Sequence, residues 1–406
     1  MKFLRLTYHY LLAWLGSRFY KHPSRKLFVI GVTGTKGKST VIELINAILE
    51  TAGKKTAVIS SVRFKNDILS LRNLTGMTMP GRFLLQKLLF EAVQNSCEYA
   101  IMEVTSQGIL QYRHRFIDFD AAVLTNLEPE HIEAHGSYEN YRDSKVRFFG
   151  DMAKYSNKSK KYFFINNDAR DKEYFIKIIE GVGKIIFYQK EDAKKFKIRT
   201  KLLGEFNLEN ISAAIALARL QNIDWEIIRE AIEKFNGVPG RLEFVQKIPF
   251  SVIIDYAHTP DSLEKVYKTL KGQRSQVKGH RLICVLGAAG GGRDVWKRPI
   301  MGEIASKYCD QIILTNEDPF DEDPSQILSQ IKSGIIKTQF PLSKVSEIID
   351  RKAAIRKAMQ SAEKGDTVII TGKGSEPYLR GANGKLIPWN EREIALKILN
   401  NERIEI

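Results

Sequence analysis

The apolar run at 27–30 leads into Gly31-Val-Thr-Gly34-Thr35-Lys36-Gly37-Lys38-Ser39-Thr40, and the amphipathic stretch 41–49 follows. A strand, a glycine-rich turn and a helix start in that order constrain the fold more than any other part of the chain. The glycines let backbone N–H groups converge on phosphate oxygens, and the helix N-terminus adds its partial positive charge. Lys38 suits the β- and γ-phosphates of a nucleoside triphosphate, and the Ser39 hydroxyl suits Mg²⁺. The spacing is not the general one, because Gly31 lies six residues before Gly37 and the common pattern asks for five. The tighter core Gly34-x-x-Gly37-Lys38-Ser39 keeps it.

From Leu27 onward apolar strands alternate with amphipathic helices, which predicts an α/β fold with a parallel sheet. Strands are expected at 27–31, 56–60, 99–104, 121–125, 162–165 and 184–188, and helices at 210–220 and 225–235. The Gly/Pro break Asn236-Gly-Val-Pro-Gly240 reads as a boundary. A second series follows, with strands at 251–255, 281–286, 311–314 and 367–371. The expected organisation is a basic amphipathic segment (1–26), a central P-loop ATPase-like domain (27–238) and a C-terminal Rossmann-like domain (239–406).

Segment 1–26 carries Lys2, Arg5, Arg18, Lys21, Arg25 and Lys26 and no acid. It is too short and too polar to span a bilayer, and it lacks the apolar core and cleavage site of a signal peptide. Two readings stand: a helix resting peripherally on anionic membrane, or one packed on the protein's own surface. The formal net charge of +16 raises nucleic acid as a partner. No nucleic-acid-binding motif accompanies it, so scattered solvated lysines and a polyanionic nucleotide substrate are the preferred account. The cysteines Cys97, Cys284 and Cys309 form neither a metal spacing nor a disulfide framework, so a cytoplasmic location is expected.

Further chemistry-bearing residues sit at strand ends. Glu103 ends the strand 99–104, where a Mg²⁺-binding carboxylate near a P-loop is placed. His131 and His135 lie among acids after the strand 121–125. Lys145 follows on a helix; a neutral lysine amine can take up CO₂ as a carbamate, although spacing alone leaves it a solvated lysine. In the second half, Gly240-Arg241, Asp255-Tyr-Ala-His258, Gly287 to Asp294 and Gly372-Lys-Gly-Ser-Glu376 all flank strands. Charged residues beside glycine turns at carboxyl strand ends line the ligand crevice of an open α/β sheet.

Taken together, these blocks resemble the Mur ligase family, and within it the muropeptide ligases of the MurE type. GTKGKS is similar to the family P-loop, and MEVTSQG is similar to the MurE-type MEVSSHA. TNLEPEHIEAHGSYENYRDSK, GEFNLENISAA, GVPGRLE, DYAHTPDSL, GGGRDVWKRP and GKGSE resemble further blocks in the family's order. The resemblance runs from Gly31 to about Trp389.

The resemblance implies an ATP- and Mg²⁺-dependent ligase of peptidoglycan precursor synthesis. ATP would phosphorylate the carboxylate of a UDP-MurNAc-dipeptide-like substrate, and an amino acid would attack the acyl phosphate to give an amide, ADP and phosphate. It implies that Gly34 through Thr40, Asn207, Asn210, Arg241, Asp255 and His258 meet ATP. Ser39 and Glu103 would bind one Mg²⁺; His131 and an N6-carboxylated Lys145 would bind a second. Thr78, Ser106, Gln111 and Arg113 match contacts to the muropeptide. Arg293, Glu317, Asp318, Gly372 and Glu376 match the pocket of the incoming amino acid.

Two departures follow. About 26 residues precede the P-loop strand, where MurE-type enzymes carry a separate domain for the uridine nucleotide, so the expectation is a UDP sugar held differently, held by a partner, or absent. Where diaminopimelate-adding members read Asp-Asn-Pro-Arg, this chain reads Glu317-Asp318-Pro319-Phe320. Phenylalanine cannot clamp a carboxylate. With Asp321, Glu322 and Asp323 following, the expected preference is lysine or ornithine over diaminopimelate. The rivals are a family ligase with another acceptor, of the polyglutamate or cyanophycin type, and an inactive nucleotide-binding module.

Overall fold

Strand β1 (Phe28–Thr33) is buried on both faces, as a parallel strand covered by helices must be. Its side chains alternate between two cores: Val29 joins one, and Ile30 and Val32 join the other. The computed structural model describes residues 2–130, 132–274 and 280–401. The chain divides into two units, Met1–Asn236 and Gly237–Ile406, with the break inside the Gly/Pro stretch.

The first unit is built on β1, β2 (Thr56–Ile59), β3 (Arg63–Asn66), β4 (Leu69–Arg72), β5 (Tyr99–Glu103), β6 (Ala121–Leu124), β7 (Tyr162–Asn166) and β8 (Lys184–Tyr188). Their order is β4-β3-β2-β5-β1-β6-β7-β8. All neighbours pair in parallel except β2–β3 and β3–β4, an edge hairpin that periodicity did not foretell. The helices are α1 (Lys2–Phe19), α2 (Lys38–Thr51), α3 (Arg82–Gln94), α4 (Ser106–Leu110), α5 (Ile132–His135), α6 (Tyr138–Tyr155), α7 (Lys172–Ile179), α8 (Lys190–Lys195), α9 (Phe206–Leu220) and α10 (Trp225–Lys234). α3, α6 and α7 cover one face of the sheet through Leu85, Leu89, Phe148, Phe149 and Phe175. α2, α9 and α10 cover the other through Ile42, Ile45, Ile211, Leu217 and Ile228.

Gly31 belongs to this packing rather than to the phosphate turn. It lies inside β1, and a Cβ there would overlap the rings of Phe148 and Phe119. The odd spacing of the motif therefore has a simple cause: its first glycine makes room for aromatic packing, and the phosphate turn starts at Gly34.

α1 is a helix of 18 residues that lies against α3. Ala13, Gly16 and Ser17 are buried, with Gly16 placed where a Cβ would sit 3.3 Å from Phe83. Leu4, Tyr8, Leu11, Leu15 and Phe19 recur at helical spacing along the exposed side.

The second unit carries β9 (Glu243–Gln246), β10 (Ser251–Asp255), β11 (Leu282–Leu286), β12 (Gln311–Leu314), β13 (Val345–Glu347) and β14 (Thr367–Thr371) in the order β13-β12-β11-β14-β10-β9. β9 alone among them pairs antiparallel. A small hairpin, β15 (Tyr378–Arg380) and β16 (Leu386–Pro388), follows. The helices are α11 (Pro260–Arg274), α12 (Lys297–Tyr308), α13 (Pro324–Lys337), α14 (Arg351–Gln360) and α15 (Glu391–Asn401).

Candidate active site

Four adjacent strands of the first unit, β2, β5, β1 and β6, end side by side, so their following loops meet above one stretch of sheet edge. The loop after β1 needs its glycines. Gly34 has φ +143°, and a Cβ there would overlap Thr125 Oγ1; Gly37 has φ +81° and abuts Asn210 Oδ1. Side chains from the loop after β6 hold the turn in shape: Lys36 N donates to Asn126 Oδ1 at 2.8 Å, and Thr125 Oγ1 donates to the Lys36 carbonyl at 2.7 Å. Lys38 Nζ folds over the turn onto the carbonyls of Gly34 and Thr35, at 3.0 and 2.9 Å. Lys36 pairs with buried Glu130 at 2.6 Å. Thr35 Oγ1 meets the Tyr141 hydroxyl at 3.0 Å, and Ser39 and Thr40 open α2, both buried.

At the end of β5, Glu103 is 1% exposed and accepts from the Ser39 hydroxyl in a short hydrogen bond. Ser61, after β2, joins them: its N–H donates to Glu103 Oε2 at 3.2 Å, and its hydroxyl lies 3.2 Å from Ser39 Oγ. No motif marks Ser61. It arrives because β2 pairs with β5 in the register Ile59↔Met102. Among the described residues no group of three or more His, Cys, Asp or Glu could hold a metal. Two hydroxyls and one carboxylate are instead the hard-oxygen set that Mg²⁺ accepts when waters and phosphate complete its shell.

Lys145 reaches the same turn from α6. It is 2% exposed, and its Nζ donates to the Gly34 carbonyl at 2.9 Å. Burial first, then the charge of Lys38, drives its pKa well below the ordinary lysine value, while Glu130 opposes them. His131 lies outside the described residues. His135 hydrogen-bonds through Nε2 to Ser106 Oγ at 3.1 Å, and burial followed by Lys145 lowers its pKa. On α9, Asn210 Nδ2 donates to Asn207 Oδ1 at 2.9 Å. The structure thus gathers Gly34 to Thr40, Glu103, Lys145 and Asn210 at one place. Gln111 and Arg113 stand at the far end of α4 from Ser106 and bond to each other at 2.8 Å. Arg113 also donates to the Met79 carbonyl, next to half-buried Thr78.

The second unit has its own cluster. Asp255, at the end of β10, accepts from the N–H groups of Leu242 and Ala257, both at 2.7 Å, which shapes the loop carrying Arg241. The Arg241 guanidinium lies 4.3 Å from the Tyr256 ring centre, and His258 Nδ1 is 2.8 Å from the Tyr256 carbonyl. The Tyr256 hydroxyl donates to Glu376 at 3.1 Å. Gly372, with φ +107°, leaves room for Glu317: a Cβ there would stand 2.6 Å from Glu317 Oε2. That oxygen is buried without a hydrogen-bond partner. Burial, with Asp318 beside it, raises the Glu317 pKa to about 7.

Two of the acids around Phe320 are held in ion pairs that sequence proximity did not show. Asp318 accepts from Lys373 at 2.8 Å and from the Arg380 N–H at 2.9 Å. Glu322 pairs with fully buried Arg298. Asp321 accepts from the Asn383 N–H at 2.6 Å, and Asp323 caps α13. A cation is present as well, since the Arg293 guanidinium lies 4.3 Å from the Phe320 ring centre. The electrostatic basis of the expected preference for lysine or ornithine over diaminopimelate is therefore weakened, and what remains of it rests on Asp321 and Asp323, whose donors are neutral N–H groups.

Comparison with known proteins places this geometry in a family. A Mur ligase middle domain matches residues 32–195, and a Mur ligase, glutamate ligase domain matches 240–374. A UDP-N-acetylmuramoyl-L-alanyl-D-glutamate--2,6-diaminopimelate ligase of Syntrophomonas wolfei is 35% identical over 96% of this chain and 82% of the relative. The chain belongs to the Mur ligase family. A ligase with the same printed name from Aquifex aeolicus is 37% identical over 95% of this chain and 80% of the relative. A solved structure bearing that name too is 29% identical, covering 93% of this chain and 79% of its own, with a TM-score of 0.58. The ADP complex of E. coli FolC shares the fold at 18% identity and a TM-score of 0.68, covering 97% of this chain and 94% of its own. As a Mur ligase the chain is an ATP-dependent ligase, and its sheets and helices are the α/β arrangement of the family.

Proposed function

We propose that this Mur ligase joins an amino acid to the free carboxylate of a UDP-MurNAc-dipeptide-like acceptor, in peptidoglycan precursor synthesis. The observation that carries the reading is Lys145: a buried lysine of depressed pKa, bonded to the phosphate turn beside Lys38. A solvated helix lysine has no reason to sit there.

Lys38 and the N–H groups of the 34–39 turn hold and neutralise the γ-phosphate as it passes to the acceptor carboxylate. The amine of the amino acid then attacks the acyl carbon, phosphate leaves with the bonding pair, and the amine proton goes to solvent. Ser39, Glu103 and Ser61 would hold Mg²⁺, which when bound offsets charge on the transferring phosphoryl group. Lys145 is read as N6-carboxylysine: its neutral nitrogen bonds to CO₂ and one proton is released, giving an anionic oxygen ligand. Asn207, Asn210, Arg241, Asp255 and His258 are read as nucleotide contacts. Thr78, Ser106, Gln111 and Arg113 are read as acceptor contacts, and Arg293, Glu317, Asp318, Gly372 and Glu376 as amino-acid contacts.

Phosphate release from ATP with UDP-MurNAc-L-alanyl-D-glutamate and a panel of amino acids, with products weighed by mass spectrometry, tests the reading. Turnover that requires both acceptor and amino acid is expected. ATP turnover with a folate or polyglutamate acceptor, and none with the nucleotide sugar, would transfer the chain to the rival class.

The exposed stripe of α1 supports a peripheral role as well. Apolar Leu4, Leu11, Leu15 and Phe19 flanked by Arg5 and Arg18 match an anionic lipid surface in both polarity and charge. Among the described residues no helix is long and apolar enough to cross a membrane. Full-length chain is expected to sediment with phosphatidylglycerol vesicles and the Leu11→Glu/Leu15→Glu variant to stay in solution; equal sedimentation removes the proposal.

A further inference from the structure

The candidate active site uses the carboxyl ends of the strands; a second concentration of charge lies at their amino ends. Arg25 sits in the helical turn Pro23–Lys26 that leads into β1, Asp118 and Asp120 precede β6, and Lys158 precedes β7. Arg25, Asp118, Asn157 and Lys158 line a cavity of about 300 Å³, room for about ten waters. The length of β1 separates these strand starts from the phosphate turn by about 20 Å.

Both acids are already engaged. Asp118 is 5% exposed; its Oδ2 accepts from Arg25 Nε at 3.1 Å, and its Oδ1 from the N–H and the side-chain amide of Asn157 at 2.8 and 2.9 Å. Asp120 accepts from Lys158 at 2.9 Å and from the Val29 N–H at 2.8 Å. The cations keep unused donors. Arg25 commits only its Nε, so both Nη ends of a half-exposed guanidinium meet no acceptor among the described residues. Arg18, Lys21 and Lys26 are exposed beside it, and none forms an ion pair with a described residue. Arg25 and Arg18 stand close enough to His22 that their charges, after burial, lower its pKa.

The cavity adjoins α1. Ser17 Oγ donates to the Phe116 carbonyl at 3.2 Å, and the Asp118 N–H donates to the Ser24 hydroxyl at 3.0 Å. The end of α1 is thus stitched to the cavity wall. Its apolar stripe ends at Phe19, 70% exposed, just before the basic run from Lys21 to Lys26.

We propose that this cavity binds the phosphate of an anionic lipid headgroup, with the Arg25 fork as the main clamp and Lys158 beside it. The inference rests on the reading of α1 as a membrane-surface helix and gives that contact a chemical specificity. An arginine fork takes two phosphate oxygens in parallel. The adjoining stripe supplies an apolar face that a soluble phosphate would not need. Lipid contact at the strand starts also leaves the phosphate turn, at the other edge of the sheet, clear of the bilayer.

The test uses full-length protein, titrated with vesicles of phosphatidylcholine alone or with phosphatidylglycerol added, and bound protein is read by sedimentation. Wild type should prefer the phosphatidylglycerol vesicles. Arg25→Gln should weaken that binding roughly 10- to 100-fold, the range for lost hydrogen bonds to a charged group, at a Tm near wild type because Asp118 keeps both Asn157 donors. Lys195→Gln, an equal loss of charge on exposed α8, should weaken it by less than about fivefold, the worth of one basic residue near an anionic surface. Arg25→Lys should fall between wild type and Arg25→Gln, since it keeps the charge without the fork. Arg25→Gln within twofold of wild type overturns the site, and so does Arg25→Lys equal to wild type, which would leave only a patch of charge. Glycerol phosphate supplies the other arm, in a Lys38→Ala background that disables the phosphate turn. An Arg25-dependent rise in Tm, with both vesicle compositions bound alike, would give the cavity to a soluble phosphate and overturn the lipid assignment. Vesicle binding lost in Leu11→Glu/Leu15→Glu but kept in Arg25→Gln sinks the cavity alone. A wild type that ignores both vesicles sinks the membrane reading of α1 and the cavity's ligand with it.

Discussion

Arg351 offers the sharpest test of how the second unit holds its loops. It opens α14, 2% exposed, against Glu391 at the start of α15, 1% exposed. Its guanidinium makes a forked pair with Glu391 and also donates to the carbonyls of Thr371 at 2.7 Å and Asn316 at 3.1 Å. Those carbonyls lie directly before Gly372 and Glu317, so one side chain ties the ends of β14 and β12 together. Arg351→Met leaves a buried carboxylate with the Trp389 N–H and strips two carbonyls. Breaking one side of such a pair costs about 3–5 kcal/mol, which for a unit of this size is roughly 6–20 °C in Tm. Arg351→Met/Glu391→Met should recover most of that loss, because matched apolar replacement of a buried pair is often neutral. Thermal unfolding of the two single variants and the double variant completes the cycle, and the KM for the amino acid should rise more than that for ATP. A single-variant loss under about 1 kcal/mol, or a double variant no better than Arg351→Met, would refute the argument.

Gly34→Ala should abolish ATP binding and cost about 2–4 kcal/mol, from a φ that alanine rarely adopts and displacement of the Thr125 hydroxyl bonded to Lys36; nucleotide titration and Tm check it. Lys145→Ala should lose most turnover, with partial return on adding a short carboxylate, and near-normal rates would end the carbamate assignment. Glu317 holds its proton up to about 7 when folded against 4.5 when unfolded, so its contribution is full below 4.5 and falls by about 3 kcal/mol as pH rises through 7. Glu317→Gln should flatten stability between pH 5 and 8, and a slope identical to wild type would contradict it.

The phosphate turn was legible because its chemistry is local: glycines, lysine and serine act within one turn. Glu103 and Lys145 were legible through resemblance, and the sheet explains why each lands at that turn. Ser61 was not, since a Ser-Ser pair after a strand carries no signal until β2 is known to lie beside β5. The acids near Phe320 misled because sequence counts charges and not partners. Lys373 and Arg298, which neutralise two of them, are 55 and 24 residues away along the chain.

The strand order also sets a gradient of stiffness across the first unit. β5, β1 and β6 are laced to neighbours on both sides, and their residues are wholly buried apart from Phe28. β4 is the opposite: an edge strand, exposed along its whole length, bonded on one side to β3. Opening the hairpin breaks one short ladder; opening β1 breaks two and both cores. Amide protons at the phosphate turn's root therefore exchange by near-global unfolding, and those of β4 by fraying. The catalytic strand ends ride on the part of the sheet that yields last, and the rim can breathe, or accept change, without moving them.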